Sequence, residues 1–176
     1  MIDSRLKICF MGANQAGLIG ALTILADGNE IVAAVSYSKE LEEILKFSKI
    51  PVFDSINNDN FLNVLKICDL LVCVHGREIV KDELLKLPRL GAINVHPYLY
   101  KYKGKDPVGR ALKDKNFKAS VGIHSMGNKV DEGKVITELF TDISGSENVD
   151  EAYNKLYPYY CKSILEALNE GYKGAG

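Results

Sequence analysis

Short apolar runs rich in β-branched residues, each followed by a turn signal and a helix-length segment, constrain this chain more than any other feature. Leu6 to Met11 (LKICFM) ends at Gly12, a helical pattern runs from about Gln15 to Ala26, and Ile31 to Ser36 (IVAAVS) is extended again. Strand, glycine turn, helix, strand is a βαβ unit, which implies a parallel pair with a right-handed crossover. The texture then repeats. A helix from Glu40 to Phe47 precedes a brief strand beginning at Ile50 (IPVF), and a helix from Asp59 to Lys66 precedes the strongly apolar strand Asp69 to Val74 (DLLVCV). A helix from Val80 to Leu87 and a strand from Gly91 to Asn94 complete the series. Alternation at these intervals predicts an α/β fold: a doubly wound, mostly parallel sheet in a three-layer α/β/α arrangement.

After Gly104 the pattern changes. Pro107 to Lys113 reads as a helix with its proline in the first turn. Lys118 to Ser125 and Val135 to Thr141 alternate like strands around a loop from Met126 to Gly133. Ala152, Leu156, Tyr160, Ile164 and Leu168 recur at intervals of four, an amphipathic helix from Val149 to Leu168 that Pro158 is expected to kink or restart. GYKGAG, from Gly171, reads as a fraying tail. With no repeat, low-complexity tract or linker, 176 residues suit a single domain spanning 1–176.

Asn94, His96 and Asp131 are the residues that suggest chemistry. An asparagine and a histidine two apart on extended backbone project to one side, and Pro97 restricts His96 to extended geometry. An amide donor beside an imidazole suits stabilisation and proton transfer at a tetrahedral acyl centre, and a later carboxylate can orient the ring. The residue between them, Val95, is no nucleophile, which favours direct attack by a substrate amine. A strand ending in a proline turn, with Asp131 a simple turn residue, explains the same spacing without chemistry.

The remaining features mostly exclude. Twenty-two Lys and Arg balance 23 Asp and Glu, so nothing marks a polyanion-binding protein, and no nucleic-acid partner is expected. Cys9, Cys68, Cys73 and Cys161 lie mainly in apolar surroundings without metal-ligand spacing, and read as buried hydrophobes with no metal expected. No signal-peptide pattern and no membrane-length apolar run is present, which predicts a cytoplasmic protein without a membrane partner. Gly12 to Gly17 is not G-x-G-x-x-G, and Ser36 stands where a dinucleotide site wants an acid. The turn Gly12, Ala13, Asn14 either faces an anionic part of a substrate or is simply tight. Tyr98, Tyr100 and Tyr102 would share a face if extended, and with Lys101, Lys103 and Lys105 they suit stacking on a sugar or base that carries phosphate. Core packing explains one or two of them equally well. His75 reads as a supporting or surface histidine and His124 as either near the acceptor or packed, while Asp106 and Arg110 read as cap and solvation of the helix that starts there.

The text PRLGAINVHPYLYKYKGKDPVGRAL, followed by SVGIHSMGNKVDEGKVI, strongly resembles the formyltransferase family, whose members use formyltetrahydrofolate. The resemblance is strongest from about Leu70 to Val135. It implies a Rossmann-like formyltransferase fold and 10-formyltetrahydrofolate as co-substrate. Asn94 and His96 match the family's oxyanion-stabilising pair and Asp131 its catalytic carboxylate, with Asn94 and Asp131 also touching the cofactor. Arg77, Glu78, Ile79 and Val80 match by position the segment that lines the pterin pocket. In relatives acting on glycinamide ribonucleotide, the turn equivalent to Gly12, Ala13 and Asn14 holds the acceptor's phosphate. One departure stands out: where the family reads S-L-L-P-K-Y-R-G, this chain has Tyr98 to Gly104, one residue shorter and without the proline. With Tyr98, Tyr100 and Lys103 as acceptor-facing residues, that stretch looks more like formyltransferases acting on nucleotide-linked amino sugars. The expected activity is therefore formyl transfer to a small-molecule amine on such a sugar. Phosphoribosylglycinamide formylation is the first alternative. Hydrolysis of formyltetrahydrofolate and folate binding without turnover are the others. The sequence gives no indication of oligomeric state.

Overall fold

The computed structural model describes residues 5–127 and 129–171. Residues 172–176, which hold most of the expected fraying tail, lie outside the described residues. Seven strands form one sheet in the order β3-β2-β1-β4-β5-β6-β7. They are β1 (Lys7–Gly12), β2 (Glu30–Ser36), β3 (Val52–Phe53), β4 (Leu70–Val74), β5 (Ala92–Pro97), β6 (Lys118–Ser125) and β7 (Val135–Asp142). The first five run parallel, and β6 and β7 close the sheet antiparallel. Helices α1 (Asn14–Ala26), α2 (Lys39–Phe47), α5 (Pro107–Lys113) and α6 (Val149–Gly171) cover one face. Helices α3 (Asp59–Leu65) and α4 (Asp82–Leu85) cover the other.

The two cores follow from strand periodicity. Ile8 and Phe10 of β1 point into the α1/α6 layer, whereas Cys9 and Met11 point into the α3 layer. The direction in which strands are added to the sheet reverses between β1 and β4: the chain leaves β1 into α1 on one face and leaves β4 toward α4 on the other. That topological switch point opens a crevice at the carboxyl ends of the strands, where ligands bind in sheets of this kind.

Several boundaries differ from expectation for physical reasons. The fifth strand was expected to stop at Asn94 but runs to Pro97, because β6 continues to pair with it as far as Pro97↔Val121. Its other neighbour, β4, ends opposite Val95, so the missing N–H of Pro97 breaks no ladder there. The helix expected over Val80 to Leu87 shrinks to the single turn of α4, and IPVF contributes only a two-residue strand. Pro158 does not restart α6, which is one helix held against the sheet by Ala152, Leu156, Tyr160, Ile164 and Leu168. Cys9, Cys68 and Cys73 are buried free thiols, and the half-buried Cys161 accepts a hydrogen bond from Thr23.

Candidate active site

The candidate site is built on the α3-side face of β5 and β6, near the carboxyl end of β5. Asn94 and His96 sit on that face, and the antiparallel register sets His124 opposite Asn94 and Gly122 opposite His96. On the parallel side Cys73 stands beside Asn94. Gly122 is required here: a Cβ would stand 2.6 Å from Leu99, which fills that space. The loop between β6 and β7 then returns Asp131 to the sheet. Gly133 permits this, since a Cβ there would lie 1.6 Å from the Ser125 carbonyl oxygen. Asp131 itself takes left-handed backbone (φ 54°), an uncommon conformation for a residue other than glycine.

The side chains converge on one carboxylate. Asn94 Nδ2 donates to Asp131 Oδ1 at 3.1 Å, and His124 Nε2 lies 3.2 Å from the same oxygen. The Gly104 N–H donates to Asp131 Oδ2 at 2.7 Å, and His96 Nδ1 stands 3.6 Å from that oxygen. Burial pushes the Asp131 carboxyl upward, but His124, His96 and the Gly104 N–H outweigh it and hold the group at about 2. For His96 the balance goes the other way. Burial lowers its pKa, and Asp131 and the Tyr102 carbonyl offset this only in part. The imidazole is therefore neutral at pH 7, its Nε2–H donating to the Tyr102 carbonyl at 2.9 Å. Nδ1, beyond hydrogen-bond distance of Asp131, is the open ring nitrogen.

The tyrosine stretch does not form the extended face expected of it. Tyr98 adopts left-handed backbone (φ 56°), and its carbonyl accepts from both Lys101 and Tyr102 N–H, so 98–102 is a tight turn. Tyr98 is fully buried and Tyr102 nearly so; only Tyr100 is exposed, at 39%. The Tyr98 hydroxyl donates to Asn116 O, that of Tyr100 to Lys118 O and that of Tyr102 to Asp114 Oδ2. A buried ring offers no stacking surface, so Tyr98 leaves the acceptor-facing set. Tyr100 packs against Phe140 at the edge of the sheet. The turn instead delivers the Tyr102 carbonyl to His96 and the Gly104 N–H to Asp131. Lys103 remains exposed beside the site, its carbonyl held by Arg110. Asp106 caps α5 by accepting from Gly109 N–H, in the capping role expected of it.

Two further expected segments meet at the switch point. Arg77 donates to Asn14 Oδ1 at 3.2 Å, which ties the loop after β4 to the turn after β1. That turn is not an open anion nest. Ala13 N–H is committed to Val74 O, Asn14 N–H is committed to Ser38 Oγ, and Gly12 and Ala13 are buried. Gly12 and Ala13 are thus corrected to a tight turn, leaving only the exposed Asn14 side chain to face a ligand. Glu78 faces neighbouring loops: its carboxylate accepts from the Tyr37 and Ser55 hydroxyls and from Ile56 N–H. Next to it Ile79 is 82% exposed and Val80 is buried, giving the α3-side crevice an apolar lip. A surface hollow of about 370 Å³ lies at the opposite rim, among Asn29, Glu30, Lys49 and Pro51, and gathers none of these residues.

Two histidines matter more than their sequence context showed. His124, 2% exposed, belongs to the carboxylate cluster, and its signal was its place at the end of a strand preceding the Asp131 loop. His75 takes left-handed backbone (φ 57°), which turns its ring from the face used by Cys73 to the α6 face. There its Nε2 lies 2.8 Å from the Tyr160 hydroxyl. Burial, reinforced by nearby His96, pushes the His75 pKa down to about 4.

These shifts predict acid sensitivity of one sign. An unfolded histidine titrates at about 6.5, so as the pH falls from there to about 4 the unfolded chain takes up a proton that folded His75 refuses. Stability should fall by on the order of 3 kcal/mol across that window. Asp131 adds a second loss between about pH 4 and its folded value of about 2. Denaturant melts against pH should show both, and His75→Asn should flatten only the upper window. An unchanged slope above pH 4 in that variant would refute the burial account of His75.

A family model described as Formyl transferase matches residues 26–168. A bifunctional polymyxin resistance protein, ArnA, of Wigglesworthia glossinidia brevipalpis is 26% identical over 94% of this chain and 27% of its own length. A methionyl-tRNA formyltransferase of Staphylococcus aureus (strain JH1) is 36% identical over 58% of the chain and 35% of its own length. The chain therefore spans well under half of these curated relatives. In fold it resembles a phosphoribosylglycinamide formyltransferase from Anaplasma phagocytophilum, with a TM-score of 0.79 at 15% identity over 94% of this chain and 87% of that one. Among the described residues there is no helix long and apolar enough to cross a membrane, and no group of three or more His, Cys, Asp or Glu placed to hold a metal ion.

Proposed function

The chain belongs to the formyl transferase family, and on that premise we propose that residues 1–176 act as one catalytic domain. It moves a formyl group from 10-formyltetrahydrofolate to the primary amine of a small metabolite, an amino sugar carried on a nucleotide. The observation that carries the reading is the convergence of Asn94, His96 and Asp131 at the crevice where ligands bind in this topology. The donor lies on the α3 side, against the apolar lip of Ile79 and Val80, with Arg77 at the switch point and Asn94 and Asp131 at its reactive end. The acceptor approaches from the α1/α6 side, past Asn14 and Lys103. The reaction takes place in the cytoplasm and needs no metal.

The chemistry runs without an acyl-enzyme. The acceptor nitrogen attacks the formyl carbon, and the Asn94 amide turns from Asp131 to the oxygen that becomes negative. A carboxyl held at about 2 is a poor base at pH 7. Neutral His96 is the better one, and its open Nδ1 takes the proton from the attacking nitrogen. Asp131 then stabilises the imidazolium that forms. The proton passes on to the departing donor nitrogen as its bond to the formyl carbon breaks, so no proton is gained or lost overall.

Mass spectrometry of amines incubated with the protein and 10-formyltetrahydrofolate tests the activity directly, through the mass gain of a formyl group. Release of formate with no amine modified would put hydrolysis in its place, and phosphoribosylglycinamide as the best substrate would overturn the amino sugar. Against that acceptor stands the closed Gly12 turn, whose Ala13 and Asn14 amides have no bond left for a phosphate. A folate analogue at 100 times its Kd should stabilise the fold by about 2.7 kcal/mol through mass action. NAD should give no melting shift, and the reverse pattern would remove the cofactor assignment.

A further inference from the structure

We propose that His75 and Tyr153, with Tyr157 beside them, form a subsite for the pyranose ring of the acceptor. This rests on reading the site as an amine formyltransferase, and it transfers ring recognition from the Tyr98 turn to α6. The left-handed His75 places its ring edge-on to Tyr153 and Tyr160, with centroids 5.4 and 5.7 Å away. Tyr153 stacks on Tyr157, one helical turn along, at 6.1 Å. Tyr160 is fully buried, and its hydroxyl has His75 Nε2 as its hydrogen-bond partner. Satisfying both groups makes Tyr160 the donor, which leaves the His75 ring proton on Nδ1. Among the described residues that Nδ1–H has no protein partner, and neither do the hydroxyls of Tyr153 and Tyr157. None of the three atoms is buried unpaired, so each keeps some access to solvent.

The position and the charge select the ligand. β4 and β5 pair Val74 with Val95, so His75 lies level with His96 at the carboxyl ends of the strands, close enough for His96 to disfavour its charge although the two rings leave the sheet on opposite faces. Burial and the negative charge of Asp106 raise the Tyr153 pKa, while Arg77 is engaged with Asn14. A phosphate there would meet the negative charge of that carboxylate. A nucleobase would want an open aromatic face, and the Tyr153 ring already has Tyr157 stacked on it and His75 against it. What remains is two phenol hydroxyls and one neutral N–H donor, which match the ring hydroxyls of a pyranose. With its hydroxyls there, an exocyclic amine reaches toward His96 Nδ1.

Saturation-transfer NMR with UDP-glucosamine, and with UDP alone as control, tests the subsite on the intact protein. Magnetisation should reach the pyranose protons, fall several-fold in Tyr153→Phe and His75→Asn, and vanish in Tyr153→Ala. Transfer confined to the uridine protons, no transfer at all, or pyranose contacts that survive in folded Tyr153→Ala and Tyr153→Phe would overturn it. In turnover assays with an amino-sugar acceptor, Tyr153→Phe should raise the acceptor KM about three- to tenfold, the worth of one neutral hydrogen bond, and leave the folate KM unchanged. The two readings fail separately. Pyranose contacts that depend on Tyr153 without formylation of any amino sugar would sink the function and keep the subsite. Formylation indifferent to Tyr153 would sink the subsite alone.

Discussion

Asp131→Asn is expected to lower turnover at least about a hundredfold under saturating substrates, the scale of a lost acid–base partner. The substitution keeps the shape of the side chain and one oxygen acceptor for the Gly104 N–H or the Asn94 amide. It removes the charge beside His96 and His124. The imidazolium that forms during transfer then loses the neighbour that stabilises it, so the loss should appear in kcat and kcat/KM together. A thermal melt close to that of the unaltered protein, with folate binding retained, would place the loss in chemistry. Near-normal single-turnover rates would remove Asp131 from the mechanism.

Tyr98→Ala is expected to destabilise the fold by about 3–5 kcal/mol, the cost of truncating a buried aromatic ring. Tyr98 is fully buried, packs against Tyr100 and Tyr102, and donates to the Asn116 carbonyl at 2.7 Å. Its removal leaves a cavity under the turn that supplies Tyr102 O to His96 and Gly104 N–H to Asp131, so activity and stability should fall together. Tyr98→Phe keeps the ring and should cost only about 1–2 kcal/mol for the hydrogen bond and the carbonyl left bare. Chemical denaturation of both variants checks the pair. A Tyr98→Ala protein of normal stability whose only defect was a raised acceptor KM would return this tyrosine to the substrate.

The parallel sheet was legible because its signals are local. β1, β2 and β4 are short apolar runs between glycine or polar turns, and a helix between two such runs leaves little choice of topology. The Asn94 and His96 pair was legible for a similar reason, since period-two geometry and the following proline act within the segment itself. Their proximity to Asp131 came from the family resemblance rather than from spacing, and the placement of Gly133 against Ser125 gives it a physical cause.

Other features depended on contacts between segments far apart in the chain. Three tyrosines at period two read the same whether the backbone is extended or coiled, and the left-handed Tyr98, with three distant partners for the hydroxyls, resolved them into core. The Gly12 turn resembles an anion nest until Val74 and Ser38 are seen to occupy its amides. Neither the neutral state of His96 nor the aim of His75 at α6 has any local signature. The sequence by itself determined the succession of strands and helices along the chain and that Asn94 and His96 share one side of their strand, because backbone periodicity and turn chemistry are properties of neighbours. Only the tertiary structure decided which of those groups are free to meet a substrate, because burial and hydrogen-bond commitment depend on what the rest of the chain packs against them.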